Sequence, residues 1–441
     1  MLILCINGII KLESFIIKNA IGVDGIWESE SGKGWSGNMS VVGIISEYNP
    51  FHEGHKFHIQ KAKELTGADT VAVVMNGDFV QRGEPAVVDK YARTKMALAG
   101  GADLVFELPV RYGLSSAEDF AYGGILALES LSFVDYYCFG SECGEEELLK
   151  NAGQFFAREP EEYRLSLNRY LKDGMSYPAA REQAYIQYAA GGKYLSQRQR
   201  EQLFSPNSIL GIEYIKAAER IQSHMKPVII ERQGMGYNEE DTGSAGEGDF
   251  LSATAIRKKI RNGQFPGMPE QAREILMETG NFSEPEDFWR MCSYAIRDKW
   301  DDLEHYKDVS VELANAFRKN WYGALSLNDF VNCCKTKNYT MSRIKRCVFQ
   351  ILLGIEKEAG DEKTFPYIRL LGMKKETAGY LKEVDGTQIL GRLSRDMEKL
   401  EEADRRKFGL DLKASDLYRS VSMSRGGEVQ PDEFSRPLIL V

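Results

Sequence analysis

The chain has 441 residues, of which 43% are hydrophobic and 27% charged, and its formal net charge is −9. At roughly 150 residues per domain, this length predicts two or three globular domains. The acidic balance argues against an entirely basic nucleic-acid binder, and no apolar run reaches the ~20 residues of a membrane helix. Seven scattered cysteines without a CxxC pair indicate reduced thiols in a cytoplasmic protein, and they lack the spacing of a zinc finger.

The first 38 residues do not resemble the start of a globular domain. Residues 28–38 are polar and rich in Gly and Ser, which predicts disorder. The Ser31–Gly34 stretch is not a P-loop, because Trp27 stands where the first glycine belongs and Gly34 replaces the Ser or Thr. Since Met39 directly precedes a clear strand, we expect residues 1–38 to be a disordered or spurious extension.

From Met39 onward, short apolar strands alternate with helices. The pattern predicts strands at 41–47, 69–75, 102–108, 134–139 and 227–232, and helices at about 55–66, 89–100, 116–131 and 207–222. Such alternation is typical of an α/β fold with a doubly wound parallel sheet, here a catalytic domain at 39–280 with a helical insertion at about 145–205. An acidic loop at 238–249 precedes a basic helix. Residues 281–441 show no clear strand alternation, which predicts a separate, mainly α-helical C-terminal domain.

Three of the five histidines lie within seven residues, directly after the first strand, as His52-x-Gly54-His55 and then His58. A strand-to-helix turn points backbone N–H groups at a bound anion, and a glycine lets the chain approach a phosphate closely. Imidazoles one turn apart can donate hydrogen bonds to the charge that develops when an α-phosphorus is attacked. A structural role or a metal pair is the alternative for these histidines.

A second motif, Ser252-x-Thr254-x-x-Arg257, places hydroxyls at a helix N-terminus and an arginine one turn later. This arrangement suits a second phosphate cradle. Ordinary capping explains the same residues when they are taken alone. The loop Gly77–Pro85 and the strand end Phe139–Gly140 also fall at the carboxyl edge of the predicted sheet, where ligands bind; each could equally be a plain turn.

A local basic cluster interrupts the acidic C-terminal half. It carries five cations and one tyrosine with no acid between them, which are the possible tRNA contacts Lys335, Lys337, Tyr339, Arg343, Lys345 and Arg346. Cations bind phosphates, and a neighbouring aromatic ring can stack on an unpaired base. A solvated helix face is the alternative.

The segment Glu47-Tyr48-Asn49-Pro50-Phe51-His52-x-Gly54-His55 resembles the start of the tRNA(Met) cytidine acetate ligase family, a branch of the HIGH-type nucleotidylyltransferase-like superfamily. Later segments resemble the family in order and spacing. They are Gly77–Ala86, Arg93–Leu98, Phe139–Glu142, Ser205–Asn207, Ser252–Arg257, Ser342–Arg346 and Tyr367–Gly372. The resemblance runs from about residue 40 to the C-terminus. Ser208 departs from the family pattern, while its neighbour Asn207 is intact.

The resemblance implies a cytoplasmic ligase that modifies tRNA in two steps. Free acetate attacks the α-phosphorus of ATP and gives acetyl-adenylate; the acetyl group then passes to N4 of the wobble cytidine of elongator tRNA(Met). Mg²⁺ is expected with ATP, and no membrane or obligate protein partner is implied.

The resemblance also assigns residues. Its catalytic pair falls on His52 and His55. Its ATP-binding positions fall on Ile45, Ser46, Glu47, Tyr48, Asn49, Pro50, Phe51, His52, Glu53, Gly54, His55, Lys56, Phe57, His58, Gly140, Asn207 and Arg232. Further possible phosphate contacts are Ser252, Thr254 and Arg257.

Two other functions fit parts of the sequence. A nucleotidylyltransferase acting on a small metabolite would use the same fold without RNA, but would not need the basic helical C-terminal half. A non-catalytic RNA-binding protein would have no use for the intact histidine turn.

Overall fold

The computed structural model describes residues 40–189, 195–232, 250–357, 362–426 and 429–441. The predictions made for residues 1–38 and for the acidic loop at 238–249 therefore lie outside the described residues. Residues 40–441 form one structural unit.

An eight-stranded sheet forms the centre of this unit, and its main path runs β10-β8-β5-β2-β1-β6-β7, with β9 paired to β8. All neighbouring strands are parallel except β5 and β8, which are antiparallel. A separate hairpin consists of β3 and β4. The strands are β1 (Val41–Ser46), β2 (Thr70–Asn76), β3 (Phe79–Val80), β4 (Glu84–Pro85), β5 (Leu104–Leu108), β6 (Tyr136–Ser141), β7 (Lys226–Glu231), β8 (Tyr367–Met373), β9 (Gln388–Leu390) and β10 (Ile439–Leu440).

Helices connect and cover these strands. They are α1 (Glu53–Thr66), α2 (Lys90–Ala99), α3 (Val110–Gly113), α4 (Ala117–Glu129), α5 (Glu146–Arg158), α6 (Glu161–Lys172), α7 (Tyr177–Ala189), α8 (Gln197–Leu203), α9 (Pro206–Ile221), α10 (Ala253–Ile260), α11 (Glu270–Thr279), α12 (Trp289–Asp298), α13 (Val311–Asn320), α14 (Leu327–Cys334), α15 (Met341–Leu353), α16 (Leu393–Asp396) and α17 (Glu402–Ser424). The five predicted strands and the helices between them are thereby confirmed, and the described part of the segment 145–205 consists of helices α5 to α8 and their short connections.

The doubly wound arrangement follows from strands that are apolar on both faces. In β2, Ala72 and Val74 belong to the core that α4 and α9 cover, whereas Val71, Val73 and Met75 face the core under α1, α2 and α11. Side chains alternate between the faces of a strand, so only a continuous apolar run can fill both cores.

The C-terminal half is mainly helical, as predicted. The expectation that it contains no strands is wrong. β8 is buried along its whole length and extends the sheet antiparallel to β5, and β9 and β10 pair with β8. A single apolar run among helices carries no periodic signal, because its pairing partner lies more than 250 residues earlier. Helices α12 to α15 and α17 surround a third core that includes Phe288, Phe317 and Phe349. The domain boundary near residue 280 stays a prediction.

Candidate nucleotide-binding site

The histidine turn lies where the strand order of the sheet reverses. β1 pairs with β2 on one side and with β6 on the other, and the chain turns from β1 into α1 through residues 47–52. In doubly wound sheets this crevice, outside the carboxyl ends of the strands, is where ligands bind.

The rings of His52 and His55 stack at this turn, with centroids 3.7 Å apart and planes 22° apart. The backbone N–H of His52 donates to His55 Nδ1 over 3.3 Å. Because a neutral imidazole carries one proton, this bond places the proton of His55 on Nε2. His52 Nδ1 and His58 Nε2 are buried and have no hydrogen-bond partner within the described part of the chain.

All three histidines are held neutral. Burial lowers the pKa of His52 to about 3, and the charges of Arg232 and Arg257 act in the same direction. Burial also lowers the pKa of His55 well below its usual value, with His52 and His58 adding to the effect. The pKa of His58 falls to about 4 through burial and Arg232, against an opposing hydrogen bond to the Cys138 backbone. Neutral imidazoles can donate one hydrogen bond each without carrying a buried charge.

The residues before the histidines fix the shape of the turn. Asn49 Oδ1 accepts the backbone N–H of Val87 over 2.8 Å, which ties the turn to the segment before α2. Tyr48 has a φ of 45° and its ring meets the edge of His55 at a centroid distance of 4.8 Å. The peptide between Asn49 and Pro50 is cis. The hydrogen bond of Asn49 and the ring contact of Tyr48 therefore fix the part of the turn that precedes the histidine pair.

A cavity of about 350 Å³ opens at this turn. Its lining comes from β1 and the turn, α1, the loop after β3, α4, the end of β6, α9, the residue after β7, and the starts of α10 and α15. The lining residues are Ile45, Ser46, Glu47, Tyr48, Asn49, His55, His58, Gln81, Arg82, Ala117, Phe120, Phe139, Gly140, Pro206, Asn207, Leu210, Tyr214, Arg232, Ala253 and Ser342. Such a mixture of apolar surface and a few convergent polar groups is typical of a small-molecule site.

Some of the predicted ATP-binding residues line this cavity, and others do not. Seven of the fourteen positions from Ile45 to His58 line it, including His55 and His58, and so do Gly140, Asn207 and Arg232. His52 does not line it, and reaches it only through its stacked partner His55. The remaining turn residues serve the framework: the fully buried Phe51 packs against Gly100, where even a Cβ would clash with its ring.

Two arginines converge on the hydroxyl of Thr254 beside the cavity. Arg82 Nη1 and Arg257 Nη2 donate to Thr254 Oγ1 over 3.1 and 3.2 Å, and Arg257 Nη1 donates to the Asn49 carbonyl over 2.8 Å. Ser252 caps α10 by accepting the Ala255 N–H. The motif at 252–257 therefore joins the histidine turn, although only its Ala253 lines the cavity.

The carboxylate of Glu47 lies near the two arginines, Arg82 and Arg257. Glu47 Oε1 accepts the Gln81 N–H over 3.0 Å. Burial raises the pKa of the Glu47 carboxyl, and the nearby charges of Arg82 and Arg257 offset this only in part. Glu47 is the acidic residue among the described residues that line the cavity.

On the other side of the cavity, Glu142 organises the start of α9. Its carboxylate accepts hydrogen bonds from the Asn207 amide, from the Ser205 hydroxyl at 2.8 Å and from the Ser208 N–H at 3.1 Å. Burial raises the pKa of this carboxyl, but these hydrogen bonds outweigh burial and lower it overall. Ser208 Oγ also lies 2.8 Å from Ser141 Oγ, so the departure from the family pattern at Ser208 is accommodated by the same network.

The predicted basic cluster does not present one continuous surface. Lys345 pairs with Glu84 at 2.6 Å, and Arg346 lies 3.9 Å from Asp308 and 3.5 Å from the Gln81 carbonyl. These contacts join α15 to the β3–β4 hairpin, where a side chain at Gly83 would clash with the backbone of α15. Lys335 and Lys337 are exposed, whereas Arg343 stacks over the ring of Tyr339 at 5.1 Å.

Sequence reasoning missed several residues of the site. Phe120, Leu210 and Tyr214 line the cavity, but apolar residues on helices give no chemical signal. Arg93 lies in a segment that resembles the family, yet it received no role. Its guanidinium is fully buried and donates to the carbonyls of Glu47 at 2.8 Å and Asn76 at 2.9 Å, which end β1 and β2.

Comparison with known proteins assigns the chain to a class. A family model described as HIGH Nucleotidyl Transferase matches residues 39–430, so the chain is a member of the HIGH nucleotidyl transferases. The tRNA(Met) cytidine acetate ligase of Caldicellulosiruptor saccharolyticus is 43% identical over 356 residues, which are 78% of this chain and 85% of the relative. That of Clostridium perfringens is 36% identical over 409 residues, 91% of this chain and 100% of the relative. Within the class, the chain belongs to the tRNA(Met) cytidine acetate ligase family.

Solved structures agree with this assignment. Thermotoga maritima TmcAL bound with alpha-thio ATP has a TM-score of 0.82 and 31% identity, covering 91% of this chain and 99% of the other. The apo form of the same protein gives a TM-score of 0.84 at 31% identity, covering 91% of this chain and 100% of the other. The predicted HIGH nucleotidylyltransferase fold is confirmed. Within the described residues, no helix is long and apolar enough to cross a membrane.

Proposed function

We propose that this protein is an ATP-dependent ligase that activates acetate as acetyl-adenylate and transfers the acetyl group to N4 of the wobble cytidine of elongator tRNA(Met). The observation that carries the proposal is the neutral, stacked histidine pair at the switch point of the sheet, beside a cavity of about 350 Å³. The family of the chain favours this activity over a metabolite nucleotidylyltransferase and over a non-catalytic RNA-binding protein.

In the first step, a carboxylate oxygen of acetate attacks the α-phosphorus of ATP. A new P–O bond forms, the bond to the β-phosphate oxygen breaks, and pyrophosphate leaves with its electron pair. His55 donates from Nε2 to the charge that develops on the α-phosphate oxygens, and His52 fixes the ring of His55 by stacking and through its N–H. Donors that are already oriented stabilise this charge without reorganising. Most of the catalysis is positioning and electrostatics.

The nucleotide is held along the segment Ile45–His58 and by Gly140, Asn207 and Arg232, which line the same cavity. A Cβ at Gly140 would lie 3.1 Å from the Arg232 side chain, so glycine leaves this strand end open for a flat group. Thr254 and Arg257 are the candidate contacts of the β- and γ-phosphates, together with Arg82, which lines the cavity and donates to Thr254. Ser252 caps α10.

Mg²⁺ enters this proposal as a partner of ATP. In nucleotide sites it is bound through phosphates and one or two carboxylates, and Glu47 is the carboxylate that fits this role among the described lining residues. Bound there, the ion would neutralise charge on the leaving pyrophosphate.

In the second step, the cytidine N4 attacks the acetyl carbonyl carbon. The new N–C bond forms, the bond from the acyl carbon to the phosphate oxygen breaks, and AMP leaves while N4 loses a proton. The helical C-terminal half is the proposed tRNA-binding part. Its candidate contacts are Lys335, Lys337, Tyr339, Arg343, Lys345 and Arg346.

The test is to incubate the protein with ATP, labelled acetate and bulk tRNA, and to digest the RNA to nucleosides. We expect labelled N4-acetylcytidine; its absence under conditions in which tRNA binds would refute the ligase activity. His55→Ala should abolish acetate-dependent ATP–pyrophosphate exchange and leave tRNA binding unchanged. His224→Ala is the matched control, because His224 is half-exposed and pairs with Glu129, away from the residues that line the cavity. Equal rates of ATP–pyrophosphate exchange in the two variants would show that His55 takes no part in the reaction.

A further inference from the structure

A second cavity, of about 460 Å³, lies beside the nucleotide cavity. Its lining comes from α3, α4, the 307–310 loop, α15, the segment after α15, and α17. The lining residues are Arg111, Tyr112, Asp119, Tyr122, Lys307, Asp308, Val309, Ser310, Arg343, Ile355, Glu356, Lys357 and Leu410. Arg343 is the one residue of this lining that also belongs to the predicted basic cluster.

Two helix starts separate the two cavities. In the first turns of α4, Ala117 and Phe120 line the nucleotide cavity, whereas Asp119 and Tyr122 line the second one. At the start of α15, Ser342 faces the nucleotide cavity and its neighbour Arg343 lines the second. A ligand that occupies the second cavity is therefore only about one helical turn away from a ligand in the first.

The second cavity is built for an anion. Four of its lining residues are cations, Arg111, Lys307, Arg343 and Lys357, against three acids. Both separating helices begin there, with Ser116 and Thr340 as their N-caps, so their positive dipole ends lie at this wall.

Each cation of the second cavity has a partner that an incoming phosphate would replace or share. Lys307 pairs with Asp119 over 3.1 Å, and the two side chains are 20% and 36% exposed. Because solvent screens a partly exposed pair of this kind, its contribution to stability is small and a phosphate can replace the carboxylate. Arg343 donates to the Asp308 carbonyl over 3.3 Å, and the exposed Lys357 donates to the carbonyls of Glu304 and Val309 over 2.6 and 2.9 Å. Arg111 lies 3.4 Å from a carboxylate oxygen of Glu362.

We propose that this second cavity binds a backbone phosphate of the RNA substrate, next to the nucleotide whose base enters the nucleotide cavity. The inference rests on the proposed function, because a base that attacks an acyl-adenylate must bring its own flanking phosphates to the rim of that site. The expected RNA contacts then include Arg343 as before. Lys307 and Lys357 take the place of Lys345 and Arg346, which pair with Glu84 and Asp308.

The experiment measures the tRNA Kd of the full chain as a function of salt concentration. Lys307→Gln should raise Kd about five- to tenfold near 0.1 M salt and lower the slope of log Kd against log salt by about 0.7. Asp119→Asn should act in the opposite direction and tighten binding, because it releases Lys307 from its partner. Acetate-dependent ATP–pyrophosphate exchange should stay within about twofold in both variants.

The matched controls are Lys150→Gln and Glu146→Gln, which remove the members of a comparable surface ion pair on α5. If Lys307→Gln and Asp119→Asn change Kd and the salt slope no more than these controls, while the unmodified protein still forms N4-acetylcytidine, the inference is wrong and the proposed function stands. If the unmodified protein neither binds tRNA nor acetylates it, the proposed function fails and the inference fails with it.

Discussion

The arginine that connects the ends of β1 and β2 offers the sharpest test of how the fold supports the site. Arg93 is fully buried, and its guanidinium donates to four carbonyls: Glu47 at 2.8 Å, Asn76 at 2.9 Å, Val88 at 3.1 Å and Gly77. Glu47 immediately follows β1 and begins the turn that carries the histidines. Replacing Arg93 with methionine keeps an unbranched stem but removes the guanidinium and with it every donor.

The expected loss of stability can be worked out from these bonds. Hydrogen bonds from charged donors contribute about 1.5–3 kcal/mol each, and a buried acceptor left unpaired costs about 1–3 kcal/mol. Bonds made by one group are not additive, and the variant no longer buries a charge, so we expect Arg93→Met to lower the free energy of unfolding by about 3–5 kcal/mol. Arg93→Lys should recover only part of this, because one ammonium cannot reach four carbonyls.

The rate of adenylation should fall as well. A displacement of about 1 Å at a reacting centre can cost about a hundredfold in rate, so we expect a loss of that order in acetate-dependent ATP–pyrophosphate exchange. Exchange would be measured well below the melting temperature of the variant, and stability by denaturant unfolding.

Arg369→Met is the matched control. Arg369 is also buried and donates to the carbonyls of Leu390 and Gly391 over 2.9 and 2.8 Å, but it lies in β8, which β5 and β2 separate from β1. It should destabilise the protein yet leave exchange by the folded fraction nearly intact. If both variants lost exchange only in proportion to unfolding, Arg93 would hold the fold and not the site.

Two further predictions follow from the nucleotide cavity. His58 has a folded pKa of about 4, below its usual 6.5, so its neutral form stabilises the protein fully above pH 6.5 and that contribution is lost as pH falls toward 4. His58→Gln should therefore flatten the fall in unfolding free energy between pH 6.5 and 4.5, measured by urea titration; an unchanged slope would contradict the buried neutral state. Gly140→Val should raise the KM for ATP about tenfold by filling the strand end beside Arg232, with the melting temperature nearly unchanged. A KM equal to that of the unmodified enzyme would show that the nucleotide does not lie on this strand end.

Much of the site could be predicted because its signals are local. The histidine turn follows directly from a strand that is apolar on both faces. Gly140, Asn207 and Arg232 were expected through the resemblance to the family and not from a local pattern. The structure brings all of them to one cavity. The orientation of His52 could not be predicted. Its ring stacks on His55 and does not line the cavity, and that depends on how the turn packs.

The basic cluster shows the limit of sequence reasoning most clearly. A row of cations on one segment predicts one charged surface, but in the structure these cations have different neighbours. Lys345 pairs with Glu84, which lies more than 250 residues away in sequence, while Arg343 turns to a different cavity. Ion pairs across such distances depend on which helices meet, and no local pattern encodes that.

The sequence by itself determined the parallel strands, their connecting helices, the family and the histidine turn, because continuous apolar runs and turn residues act over a few positions. Only the tertiary structure decided that β8 joins the sheet, that Arg93 connects two strand ends, and that a second cationic cavity lies one helical turn from the nucleotide site. These features depend on residues that are far apart in the chain and meet only when the cores on both faces of the sheet are buried together.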